Sequence, residues 1–214
     1  MRILITAGGT REYIDPVRFI SNASSGRMGY ALASAALKAG HKVTLITAPT
    51  ALKPPAGAHV IPVESANQMF KAVKDRFPKC DCLIMAAAVS DYAPTRPSKT
   101  KLKKRAAKLI LELKPTPDIL KWAGRHKTGS RATGRRSQIV VGFALEDRDL
   151  RANAERKLRE KHLDIIVANA PGAIGAERSS VHIKTRGAEW IEMTSRDKAM
   201  VARTIVSLVD SGAE

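Results

Sequence analysis

Aromatic residues are scarce in this chain, only 4% of 214 positions, and Trp122 and Trp190 stand far from each other. That scarcity excludes the interleaved basic and aromatic platform on which single-stranded nucleic acid stacks. Cysteine is scarcer still. Cys80 and Cys82 are the only two, too few for a disulfide framework, and with the five histidines scattered they do not complete a zinc set. They read as small buried hydrophobes. Long hydrophobic runs are missing as well: none approaches the ~20 residues needed to cross a bilayer. The opening MRILITAGG lacks the length of a secretory leader and leads straight into a core strand. A soluble cytoplasmic protein with no membrane partner is expected.

Acidic residues are outnumbered, 20 against 37 basic ones, for a formal net charge of +17. Such a molecule attracts polyanions of every kind, so charge alone does not choose among nucleic acid, anionic membrane, nucleotide triphosphates and phosphorylated metabolites. Without the aromatic platform, small phosphorylated ligands rank first.

Apolar runs bounded by turn residues occur at RILITA (2–7), KVTLIT (42–47), HVIPV (59–63), DCLIMAAA (81–88), KLILEL (108–113), QIVVGFAL (138–145) and DIIVAN (164–169). Most are near-continuous, as in strands buried on both faces. Helical segments alternate with them at 28–40, 65–77, 118–127 and 149–161. The pattern predicts one α/β domain over 1–214, a Rossmann-like, doubly wound, mostly parallel sheet. SVHIKT (180–185) and EWIEMT (189–194), joined across Arg186 and Gly187, add a C-terminal antiparallel hairpin, followed by a helix over 195–210. Residues 91–108, rich in Pro and Lys, and the stretch 126–138, rich in Gly and Arg, read as mobile loops, the Arg-rich loop itself spanning 125–136.

The first strand ends in AGGT (7–10), which places Gly8 and Gly9 where a doubly wound sheet gathers ligands. A dinucleotide fingerprint is absent. Fifteen residues, REYIDPVRFISNASS, separate AGGT from GRMG, and the second strand ends in Thr47-Ala48-Pro49 with no acid for a ribose diol. An NAD(P)-dependent reductase is therefore the minor alternative, and a basic nucleic-acid-binding module a lesser one. In SNASSGRMG (21–29), Ser24 or Ser25 can cap the delayed first helix, Gly26 admits a ligand close to the backbone, and the helix N-terminus favours a phosphate. A bare helix cap explains the same residues equally well. Asn22 offers a neutral amide donor to a developing oxyanion. Beyond these, AAAVSDY (86–92) suits a flat base against main chain, with Asp91 toward a hydroxyl or a metal ion. Lys101, Lys103 and Lys104 occupy a flap able to reach phosphates, although a solvated charge run is the commoner outcome. KPTPDIL (114–120) turns into a helix at Asp118, and Lys157 and Lys161 share one helical face.

AGGTREYIDPVRFISNASSGRMG, AAAVSDY, KLKK, PTPDIL, VGFALE and KLREKHLDIIVAN occur together in that order. In this the chain closely resembles phosphopantothenate cysteine ligase, over nearly its whole length. The resemblance implies ligation of 4'-phosphopantothenate to L-cysteine with CTP and Mg²⁺, through an acyl cytidylate, in coenzyme A biosynthesis. It implies that Asn22 acts on the acyl cytidylate and that Lys101 rides a strap, about 91–108, closing over the nucleotide phosphates. Nucleotide contacts carry over to Met85, Ala86, Ala87, Asp91, Thr116, Pro117, Asp118, Ile119, Phe143, Lys157 and Lys161. A homodimer is implied, with the acid's pocket near the subunit boundary, and no specific nucleic-acid partner. Arg27 stands where Lys is frequent in the family, and Ser90 where Ala is common. Metal ligands are not assigned, and nothing in the resemblance gives the Arg-rich loop a role. A flavin decarboxylase, often fused ahead of such a ligase, has no segment here, so either a free-standing ligase or one excised from a fusion is expected.

Overall fold

The computed structural model describes residues 1–104, 108–129 and 137–212. Its strands are β1 (Arg2–Ala7), β2 (Arg11–Tyr13), β3 (Phe19–Ser21), β4 (Lys42–Thr47), β5 (His59–Pro62), β6 (Cys82–Met85), β7 (Tyr92–Pro94), β8 (Leu113–Pro115), β9 (Ile139–Leu145), β10 (Ile165–Asn169), β11 (Arg178–Thr185) and β12 (Ile191–Asp197). The helices are α1 (Arg27–Lys38), α2 (Ala66–Arg76), α3 (Ile119–Arg125), α4 (Leu150–Glu160) and α5 (Lys198–Asp210).

Eight strands form one sheet in the order β12-β11-β10-β9-β6-β1-β4-β5. The stretch from β10 to β5 is parallel throughout, and β11 and β12 add the expected antiparallel edge. Strand β1 lies between β4 and β6, so successive units wind outward from it in both directions and leave a crevice where the order reverses.

Alternation along each strand feeds two cores. Ile3, Ile5 and Ala7 of β1, with Val141 of β9 and Ile165 of β10, meet α1 and α5 on one face. Leu4, with Val140 and Ile166, meets α2, α3 and α4 on the other. Each fully buried Leu or Ile contributes about 2 kcal/mol from area removed from water. Helix α2 starts at a capping box in which Ser65 and Gln68 exchange hydrogen bonds, and Asp118 and Asp197 cap α3 and α5. Cys80 and Cys82 are buried in different cores, on opposite faces of the sheet.

Several expectations are corrected. KLILEL is not a strand over 108–113: Leu109, Ile110 and Leu111 are exposed, and only Leu113–Pro115 pairs, with β7. The run DCLIMAAA ends its strand at Met85, because the alanines peel away toward Gly9 and keep one bridge, Gly9 to Ala88. The C-terminal hairpin closes over 186–190, and the last helix begins only at Lys198, since 195–197 still belong to β12. Nor does a serine cap α1. Gly26 holds that position at φ 74°, a left-handed conformation that suits glycine, while Ser24 and Ser25 accept from the N–H groups of Gly26 and Arg27 at 3.3 and 3.5 Å. The Pro- and Lys-rich segment is fastened at its start: Tyr92–Pro94 is β7, Ser98 N donates to Ile14 O, and Leu102 N donates to Asp15 Oδ2. Residues 105–107 of that segment and 130–136 of the Arg-rich loop lie outside the described residues.

Candidate active site

The loops that leave the carboxyl ends of β1 and β6 are knitted to each other. Ala88 N donates to Gly8 O, Thr10 N to Ala88 O, Ser90 N to Thr10 Oγ1, and Ala87 N to Thr6 Oγ1. Thr116 N and Oγ1 then donate to Asp91 O and Ser90 O, drawing the turn before α3 into the same web. Buried main-chain groups find their partners inside the loops, so this side of the crevice is held by loop backbone rather than by strand or helix.

Close backbone approach explains the glycines. A Cβ on Gly9 would lie 2.7 Å from Asn22 O, and one on Gly29 would lie 2.5 Å from Ala7 Cβ. Side chains there would push both the Asn22 loop and α1 off the end of β1.

Two adjoining cavities open in the crevice. The larger, about 600 Å³, is lined by Asn22, Ser24, Ser25, Gly26, Arg27, Ala86, Ala87, Asp91, Phe143, Lys157, Asn169 and Lys198 among others. The smaller, about 190 Å³, is lined by Met85, Ala87, Asp91, Thr116 through Ile119, Phe143, Lys157 and Lys161. Ala87, Asp91, Phe143 and Lys157 belong to both walls. Most of the sequence-predicted residues thus meet in one place. Gly8 and Gly9 lie just beneath, as the backbone support of the Asn22 and Gly26 turns.

Lys101 is the exception. It is exposed and absent from both linings, and the next residue is held away on the β2–β3 turn, where Leu102 N meets Asp15 and Arg18 Nη1 donates to Leu102 O at 3.1 Å. Asp15 is a fully buried carboxylate. Burial opposes its charge, but the N–H groups of Val17, Leu102 and Arg18 and the Arg18 guanidinium outweigh that and hold it below the usual carboxylate value.

The polar groups divide by task. Asn22 Nδ2 donates to Val89 O at 3.1 Å, which fixes the amide and leaves its second N–H unassigned. Lys157 Nζ donates to Phe143 O at 2.8 Å. Burial, and then the neighbouring Lys161, pull the Lys157 ammonium below the ordinary lysine value. Lys161 pairs with Asp118 at 2.8 Å, and Asp118 also accepts from Lys121 N. Burial works against that carboxylate, but Lys161 and Lys121 outweigh it and lower its pKa. One carboxylate is therefore already neutralised, whereas Asp91 faces the cavities without an ion pair among the described residues. No cluster of three or more His, Cys, Asp or Glu suited to a metal occurs among them.

Arg27, Asn169 and Lys198 lie at this site without having been assigned to it from the sequence. Arg27 and Asn169 stand inside the motifs SNASSGRMG and KLREKHLDIIVAN, and Lys198 stands in none. Asn169 and Lys198 come from β10 and α5, and their meeting with the Asn22 loop is a product of the sheet order.

A family model for the DNA/pantothenate metabolism flavoprotein C-terminal domain matches residues 1–212. The chain is 47% identical over 175 residues to the coenzyme A biosynthesis bifunctional protein CoaBC of Bacillus subtilis (strain 168), covering 81% of this chain and 41% of that protein. It is 42% identical over 217 residues to a cysteine/cysteine sulfinic acid decarboxylase from an unknown prokaryotic organism, covering 97% and 58%. The chain thus spans about half the length of the curated relatives it matches. Among solved structures, the C-terminal domain of a CoaBC protein superposes with a TM-score of 0.82 at 39% identity, over 98% of this chain and 94% of that one.

Proposed function

The chain belongs to the DNA/pantothenate metabolism flavoprotein C-terminal domain family, and from that premise we propose that it joins 4'-phosphopantothenate to L-cysteine in coenzyme A biosynthesis. The acid's carboxylate attacks the α-phosphorus of CTP and expels pyrophosphate. The cysteine amine then attacks the resulting acyl cytidylate and expels CMP, giving the amide. One observation carries this reading: Asn22, the Ala86–Asp91 loop, the Thr116–Ile119 turn and the Lys157/Lys161 pair, far apart in sequence, surround two cavities that share a wall.

The chemistry suits that arrangement. Bringing a phosphorylated acid to a triphosphate concentrates negative charge, which fixed cations must offset before an anion attacks phosphorus. Lys157 is held in place by Phe143 O with its charge poorly solvated, so it is a strong electrostatic partner for a bound phosphate. The smaller cavity, with the alanine loop, Phe143 and the capped start of α3, suits the base and ribose. The free N–H of Asn22 suits the oxyanion of the second step. Mg²⁺ bound with the triphosphate would supply charge neutralisation of the phosphates. Asp91 fits as its single protein carboxylate, the usual way this ion is shared with substrate. Lys101 would join only when the strap moves toward the cavities.

The test is release of pyrophosphate and CMP when phosphopantothenate, CTP, Mg²⁺ and cysteine are supplied to folded protein. CMP release should require cysteine, and absence of both products overturns the reading. Replacing CTP by ATP in the same assay tests the nucleotide choice. In Asn22→Asp the donor is lost and a carboxylate faces Val89 O. Acyl cytidylate should then accumulate while amide formation slows by about 10²-fold or more, the usual effect of removing an oxyanion donor; quenched-flow chromatography of the intermediate checks this.

A further inference from the structure

The larger cavity has an end that the proposed roles leave unused. Arg27, the first residue of α1, and Lys198, the first residue of α5, both line it, because α1 and α5 pack together and start at the same edge of the sheet. Neither has a carboxylate within ion-pair distance among the described residues. Arg27 Nη1 reaches Gly175 O at 3.3 Å and Lys198 Nζ reaches Ala173 O at 3.4 Å, both long for charge-assisted hydrogen bonds. Burial, and then Arg27, lower the Lys198 pKa. A cation at the first turn of a helix also opposes the positive end of the helix dipole. Two cations that repel each other and both helix ends, with only long contacts to carbonyls, form an arrangement that an anion would relieve.

We propose that Arg27 and Lys198 form a phosphoryl-binding seat at the α1/α5 end of the cleft, which holds a phosphate of a bound substrate. The proposal rests on the ligase reading, which supplies two candidates of the same chemistry: the terminal phosphates of the nucleotide and the phosphomonoester of the acid. No motif marks Lys198, which follows Arg27 by most of the chain length. Snorkelling into solvent is the bland account of such residues. It fits poorly with a lysine that is half-buried and faces the same cavity as Asn22.

The experiment is isothermal titration of folded protein with inorganic pyrophosphate and with inorganic phosphate, alongside steady-state assays. Arg27→Gln and Lys198→Gln should each weaken binding of one of these anions by about tenfold, the worth of one hydrogen bond to a charged group. Lys198→Arg should restore most of the affinity, which a packing role would not require. A rise in the CTP KM alone identifies the nucleotide phosphates as the occupant, and a rise in the phosphopantothenate KM alone identifies the phosphomonoester; either supports the seat. A protein that ligates nothing, yet binds pyrophosphate in a way that depends on both cations, would remove the ligase reading and keep the seat. If both Gln variants melt like the parent and match it in anion affinity and in both KM values, or if the parent binds neither anion and the KM values do not change, the seat is overturned.

Discussion

Lys157 carries the clearest consequence at the scale of single residues. Its ammonium is buried against Phe143 O and beside Lys161, so it releases its proton at lower pH than an exposed lysine. Its charge is complete below the lowered pKa and disappears as pH rises through it. Nucleotide affinity should therefore begin to fall on the alkaline side before the ordinary lysine value of 10.5 is reached, and Lys157→Arg should flatten that fall. Titrations from pH 7 to 10 check both. Stability runs the other way. The unfolded chain binds this proton more tightly, so the cost of burying the charge is greatest below the lowered pKa and is relieved as pH rises toward 10.5. The cysteines show the same physics on a thiol. Burial pushes Cys80 up to about 12 and Cys82 well above its usual value. Neither should react with iodoacetamide at pH 8 until the protein is unfolded, which mass spectrometry of alkylated samples reads directly.

Among the elements, α3 and the end of α4 meet at a close backbone approach. A Cβ on Gly124 would lie 1.8 Å from Lys161 O, so α3 can seat against the end of α4 only with glycine there. Gly124→Ala should cost about 1 to 3 kcal/mol as overpacking, seen as a lower melting temperature. It should also weaken nucleotide binding, because the displaced carbonyl belongs to the residue that pairs with Asp118. Elements of this kind differ in how well the sequence shows them. Strands β1, β4, β9 and β10 are apolar runs buried on both faces, and their pattern has one reading. KLILEL has the same composition but turns its apolar residues outward, and composition cannot separate a surface that is covered by sheet from one that is not. The three-residue strands β2, β3, β7 and β8 are too short for any periodicity to register. At the site, contiguous motifs were legible. Lys198 lies in no motif and Asn169 ends one without a sign of what it faces, because only the packing of β10 and α5 brings them to Asn22.

For the whole molecule, the exposed apolar side chains matter most. Val17, Phe19, Tyr92, Leu109, Ile110 and Leu113 are all exposed, and Ile110 is 88% accessible. They lie on β3, β7, β8 and the segments flanking them, beside the β2–β3 turn to which Leu102 is tied. Apolar surface of this kind marks interaction sites, and a second copy of the chain is proposed as the partner that covers it. On that proposal Phe19→Glu with Ile110→Glu should lower the sedimentation coefficient relative to the parent, and equal coefficients would remove it. Activity should fall as well if the partner completes the acid's pocket.

The position of β1 also governs how the chain assembles. Ile3 pairs with both Val43 and Cys82, so the middle of the sheet closes only after two long stretches of polypeptide have returned to it. Loop-closure entropy must be overcome before those pairings repay it, which places assembly among the slower, non-local topologies. Until β4 and β6 arrive, this buried central strand has two open edges, and it is during synthesis and refolding that the protein is most exposed to self-association.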